Sequence, residues 1–123
     1  MGKAHATGYK MFNIEVGMIA SRDLENAKKT AQHFEIERWT NNWHEMVSDP
    51  EIDCIDITAP NHLHYEMAMA CIKEKKPFLI EKPLARNTKE AKEIIDAAKE
   101  NGVLAVYGEN MRYTPAFVRT KEF

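Results

Sequence analysis

Short apolar runs that read as strands alternate along the chain with longer stretches whose apolar residues recur at helical spacing. No Gly/Ser linker and no internal repeat interrupts this rhythm. Strand, helix, strand, helix in this order implies parallel strands joined by right-handed crossovers. The expected fold class is therefore α/β, with a doubly wound parallel sheet. At 123 residues the chain has the length of one domain.

The pattern assigns the elements in turn. Lys3 to Tyr9 reads as a short helix and Asn13 to Ser21 as a strand, despite Gly17. Asp23 offers a cap to a helix in which Leu24, Ala27, Ala31 and Phe34 share a face. After a brief strand over Glu37 to Thr40, Asn41 can cap a helix that carries Trp43, Met46 and Val47 and closes at Asp49-Pro50. Ile52 to Thr58 is a strand ending at Ala59-Pro60, and Asn61 is placed to cap the helix holding Leu63, Met67, Ala70 and Cys71. Phe78 to Glu81 is the next strand. Asn87 with Glu90 resembles a capping box, followed by a stripe of Ala91, Ile94, Ile95 and Ala98 that stops at Asn101-Gly102. Val103 to Tyr107 is a last strand, and Gly108 to Tyr113 a polar, turn-rich exit.

Charge and cysteine usage exclude several classes. Lys+Arg number 17 against 19 Asp+Glu, a formal charge of −2, with no basic block to follow a phosphate backbone, so nucleic acid is not an expected partner. No apolar stretch reaches the length of a membrane span and no signal pattern opens the chain, so a cytoplasmic protein without a membrane partner is expected. Cys54 and Cys71 have no metal-like or C-x-x-C spacing and read as buried free thiols. His62 and His64 lack a third ligand nearby in sequence, so no metal site is assigned.

Glu81-Lys82-Pro83 stands directly after the apolar run Pro77-Phe78-Leu79-Ile80. In parallel α/β sheets ligands bind outside the carboxyl ends of the strands, which points Lys82 at whatever chemistry the fold supports. Three segments then carry a resemblance over nearly the whole chain: Thr58-Ala59-Pro60-Asn61-His62-Leu63-His64, Glu81-Lys82-Pro83-Leu84-Ala85, and Gly108-Glu109-Asn110-Met111-Arg112-Tyr113-Thr114-Pro115. Together, in this order and spacing, they resemble the glucose-fructose oxidoreductase/inositol 2-dehydrogenase (Gfo/Idh/MocA) family.

The resemblance implies an oxidoreductase with an NAD(P)-binding Rossmann domain and a C-terminal, mainly β domain that completes the substrate site. Members transfer a hydride between nicotinamide and the hydroxyl of a sugar or cyclitol. The nucleotide half of the family opens with a strand and G-x-G-x-x-G, whereas this chain begins Met1-Gly2-Lys3-Ala4-His5, where Gly2 matches the last glycine. Residues 1–123 are accordingly expected to be a partial Rossmann domain lacking its first strand, ending near Thr120-Lys121-Glu122-Phe123 where the substrate domain would begin. Such a fragment is expected to be inactive alone and impaired in dinucleotide binding, with unpaired strand edges that favour self-association.

For the intact enzyme the resemblance implies NADP or NAD. Ser21 and Arg22 at the end of the second strand suit a 2′-phosphate and favour NADP, with Asp23 as a possible ribose ligand for NAD. Gly2, Thr58, Pro60, Asn61, His64 and Glu81 are expected on the cofactor side. Lys82 is the expected catalytic residue, orienting the alcohol and stabilising negative charge on its oxygen, with Glu81 tuning or anchoring that charge. Arg112 and Tyr113 are expected on the substrate side. The general acid/base would come from the second domain. The alternative reading is a non-catalytic Rossmann-like regulatory or interaction module.

Overall fold

The computed structural model describes residues 1–120. Lys121 to Phe123, where the second domain is expected to begin, lie outside the described residues. The elements are α1 (Gly2–Met11), β1 (Ile19–Ala20), α2 (Leu24–Phe34), β2 (Trp39–Thr40), α3 (Trp43–Ser48), β3 (Ile55–Ile57), α4 (His64–Lys73), β4 (Phe78–Ile80), α5 (Thr88–Asn101), β5 (Ala105–Tyr107) and α6 (Pro115–Thr120). Two 3-10 turns, Asn61–Leu63 and Asn110–Tyr113, precede α4 and α6. Among the described residues no helix is long and apolar enough to cross a membrane.

All the strand pairings are parallel, in two separate sheets, β1-β2 and β3-β4-β5. Ile55 lies opposite Phe78 and Ile57 opposite Ile80. These four side chains are buried in the main core, which α4 and α5 complete with Ala68, Cys71, Ile94 and Ala98. Successive strand residues point to opposite faces, so Asp56 projects from the other face of β3. There it meets His5 and Tyr9 of α1. Helices thus cover both faces of the three-stranded sheet, as the doubly wound expectation requires.

Helix α1 also reaches the smaller sheet's helix. Lys10 pairs with Glu35 at the end of α2 at 2.5 Å. A Cβ on Gly17, just before β1, would lie 3.0 Å from Ile52 Cδ1, just before β3. The segments leading into β1 and β3 therefore touch, and each of these two strands has a strand partner on one side only among the described residues.

Helix ends follow the local chemistry. Asp23 Oδ1 accepts from Asn26 N at 2.9 Å, and Asn87 Oδ1 from Glu90 N at 2.9 Å. Gly102 closes α5 at φ +64°, the left-handed conformation that costs a residue with a Cβ about 1–2 kcal/mol. Several expectations are corrected. Asn42, not Asn41, caps α3, because its side chain is the one that accepts from His44 N. Asn61 caps nothing: it lies inside the 3-10 turn after Pro60, and α4 starts only at His64. The fully buried residues of α4 are His64, Ala68, Cys71 and Ile72, with Met67 and Ala70 partly buried against the same core. Ile95 is exposed, Glu90 taking its place in the buried set of α5. Cys54 is exposed while Cys71 is buried, and both thiols are free. The strands are shorter than the apolar runs because a ladder extends only as far as a neighbouring strand supplies partners. The exit after β5 turns helical at Pro115, whose fixed φ suits a first helical position.

Candidate functional site

At the carboxyl end of β4, Glu81 N still donates to Ile57 O at 3.0 Å, so the strand hands over to the Glu81-Lys82-Pro83 segment while held in the sheet. The Glu81 side chain turns inward. It is 6% exposed, with Oε1 3.3 Å from His5 Nε2 and Oε2 accepting from the Lys82 backbone N–H at 3.2 Å. The Lys82-Pro83 peptide is cis. Lys82 itself is exposed, and its ammonium has no hydrogen-bond or ion-pair partner among the described residues. It lines an open cleft of about 650 Å³ together with Met1, Pro83, Tyr107, Glu109 and Asn110.

The turn after β3 is tied to this segment from the other side. His64 is 1% exposed, with Nδ1 2.7 Å from Pro83 O and Nε2 2.8 Å from Ala59 O. Each ring nitrogen thus faces a backbone carbonyl oxygen of the protein, which favours the structural role for His64 over one toward a cofactor. Thr58 approaches the start of α1 so closely that a Cβ on Gly2 would stand 2.9 Å from its Oγ1. Pro60 and Asn61 are exposed beside it. Gly2, Thr58 and the Lys82 segment therefore gather at one end of the sheet.

Ser21, Arg22 and Asp23 stand at the carboxyl end of β1. Ser21 Oγ accepts from Asn26 Nδ2 at 3.1 Å, and the Asp23 carboxylate is occupied as the cap of α2. Arg22 is exposed and has no partner among the described residues. Arg112 and Tyr113 are exposed on the 3-10 turn after β5, the guanidinium lying 5.5 Å from the Tyr113 ring centre. They stack on each other rather than lining the Lys82 cleft.

Sequence reasoning missed the polar cluster beneath the site. His5 Nδ1 is 2.8 Å from Asp56 Oδ2, and Tyr9 OH donates to the same oxygen at 2.9 Å. Burial first, then the Asp56 carboxylate, hold the Tyr9 phenol well above its ordinary value, which keeps it a donor. Asp56 Oδ1 is buried without a hydrogen-bond partner among the described residues. Two signals were present: His5 and Tyr9 are four apart on one helix, and Asp56 interrupts an otherwise apolar strand. Glu81, expected to anchor the charge of Lys82, serves this cluster instead, because its carboxylate is buried and His5 lies against it.

This arrangement, with an uncapped helix start, a strand-end turn and an unpaired lysine at one end of a parallel sheet, has close counterparts. A family model described as "Oxidoreductase family, NAD-binding Rossmann fold" (GFO_IDH_MocA) matches residues 1–109. The chain belongs to the Gfo/Idh/MocA oxidoreductase family. Among Gfo/Idh/MocA relatives, levoglucosan dehydrogenase of Pseudarthrobacter phenanthrenivorans is 35% identical over 132 residues, covering 100% of this chain and 34% of the relative. The scyllo-inositol 2-dehydrogenase (NAD(+)) of Bacillus subtilis is 32% identical over 95 residues, 77% of this chain and 28% of that enzyme. A levoglucosan dehydrogenase structure in complex with NADH and levoglucosan superimposes with TM-score 0.89 at 35% identity, over 99% of this chain and 35% of that one. This chain therefore spans about a third of the length of the Gfo/Idh/MocA relatives it matches.

The residues present fit a nicotinamide dinucleotide. Helix α1 starts without a side-chain cap, leaving backbone N–H groups free for an anion. Gly2 lets that helix start pack directly beside the strand-end turn, where a Cβ would stand 2.9 Å from Thr58 Oγ1.

Proposed function

We propose that this chain is the dinucleotide-binding part of an NAD(P)-dependent dehydrogenase of the cytoplasm that acts on a hydroxyl of a sugar or cyclitol. Bound nicotinamide supplies the hydride-accepting or hydride-donating ring. The chain's own residues bind and orient. The first N–H groups of α1 and the turn at Thr58, Pro60 and Asn61 receive the phosphate and ribose stretch. Lys82 projects its ammonium into the cleft, where it orients the alcohol and stabilises negative charge on the reacting oxygen. Tyr107, Glu109 and Asn110 share that cleft and face the substrate.

The observation that carries this reading is the unpartnered ammonium of Lys82 in a cleft at the strand ends. Engagement of Asp23 as a helix cap, with Arg22 free, favours the 2′-phosphate of NADP over the bare ribose of NAD. An NMR titration of the chain with NADPH and NADH tests both points. The expected result is shifts at Gly2, Lys3, Thr58 and Asn61, saturating at lower NADPH than NADH, with Arg22→Ala removing the difference. Silence of these amides with both dinucleotides would leave the non-catalytic module as the better account.

A further inference from the structure

We propose that His5 and His64 are a pair of positioning residues that hold Lys82 from either side, each tying one neighbour of the lysine to strand β3 or the turn that follows it. The inference rests on the role assigned above to Lys82 for its functional meaning, and on geometry for everything else. Because the ammonium has no partner among the described residues, the lysine is placed by its backbone. That backbone is gripped twice. On the Glu81 side, His5 bridges Asp56 of β3 and the Glu81 carboxylate, 2.8 and 3.3 Å away, and the second Glu81 oxygen accepts the Lys82 N–H at 3.2 Å. Tyr9 braces the same Asp56 oxygen, so the anchor is itself held.

On the Pro83 side, His64 spans from Ala59 O to Pro83 O. An imidazole is rigid, and a buried ring with a carbonyl oxygen within 2.8 Å of each nitrogen, whichever of the two its N–H serves, has little room to turn. The two histidines come from different helices, α1 and α4, so Lys82 is registered against the helix whose start lies at Thr58 and against the turn after β3. A shift of either element moves the lysine. A catalytic group needs this kind of supporting shell, since a misplacement of about 1 Å can cost on the order of a hundredfold in rate.

Backbone hydrogen exchange of this chain tests the proposal without any cofactor. His5→Ala, which frees Glu81, is expected to speed exchange at the Lys82 amide by about tenfold while Phe78 and Ile80 keep their protection. His64→Gln retains a donor near Ala59 O and loses the one at Pro83 O, so Lys82 should again be the amide released. His64→Asn retains the donor at Pro83 O, and should restore protection. His33→Ala, on the exposed side of α2, is the control and should change nothing. Unchanged exchange at Lys82 in the first two variants, or a rise shared equally by Phe78 and Ile80, would overturn the proposal. Failure of dinucleotide binding would remove the function assigned to Lys82 and leave this result to be judged separately.

Discussion

At the scale of single residues, the two cysteines separate by environment. Burial pushes the Cys71 thiol up from 9.0 to about 12. Cys54 keeps part of its surface exposed, with burial first and Asp56 second raising its thiol as well. A thiol reagent at mildly alkaline pH should therefore label Cys54, and Cys71 only after denaturant is added; equal labelling in the folded chain would contradict the packing described. The same group sets a pH dependence. Above pH ~9 the unfolded chain loses a proton that the folded chain keeps until about 12, so the unfolded state binds fewer protons and stability falls as pH rises through that window. In Cys71→Ala the alkaline decline measured by urea unfolding should be shallower. Gly2 gives a second residue-scale prediction. A Cβ there would fall 2.9 Å from Thr58 Oγ1, so Gly2→Ala must displace either the start of α1 or the Thr58 side chain at the strand end. Dinucleotide affinity should drop while the melting temperature moves little.

At the scale of elements, the helices were legible because their signals are local. Asp23 and Asn87 cap the helices as their side-chain chemistry demands, and Gly102 ends α5 in the left-handed conformation. Asn87→Ala removes the bond to Glu90 N and should cost about 1 kcal/mol in chemical denaturation. An unchanged midpoint would mean that the α5 terminus is held by the Arg86–Glu90 pair instead, which joins Nη2 and Oε1 at 2.5 Å. The turn before α4 was less legible. Asn61 has the right residue type for a cap, but Pro60 starts a 3-10 turn whose geometry sends the Asn61 side chain to solvent. Residue type alone does not say which of two adjacent turns a side chain will close.

At the scale of the whole molecule, the two parallel sheets set the behaviour. Strands β1 and β3 each leave an edge without a strand partner among the described residues, and unpaired ladder groups recruit other strands. Sedimentation of the chain over a range of concentrations should show mass rising with concentration, and a monomer at every concentration would refute edge-driven self-association. The larger sheet should resist better than the smaller, because its core has Phe78, Ile80 and Ile94 almost wholly buried whereas α2 buries only Ala27 and Ala31. Phe78→Ala should cost about 3–5 kcal/mol and unfold the three-stranded half.

Periodicity, caps and strand-end residues depend on neighbours a few positions apart, which is why the sequence by itself determined the α/β class, the start of α2, both ends of α5 and the strand-end place of Lys82. The resemblance in three segments added the family, which the match over residues 1–109 bears out. Only the tertiary structure decided which partner each polar group takes. His5 and Asp56 are 51 positions apart, and nothing local in either segment specifies that helix α1 will lie on the face from which Asp56 projects. Glu81 looked like a companion to the Lys82 ammonium, yet burial turned it toward His5; His64 looked available to a cofactor, yet it is buried with its ring nitrogens facing two backbone carbonyl groups. Hydrogen-bond partners of buried groups are chosen by packing across the fold, where an unpaired polar atom costs more than a lost surface contact.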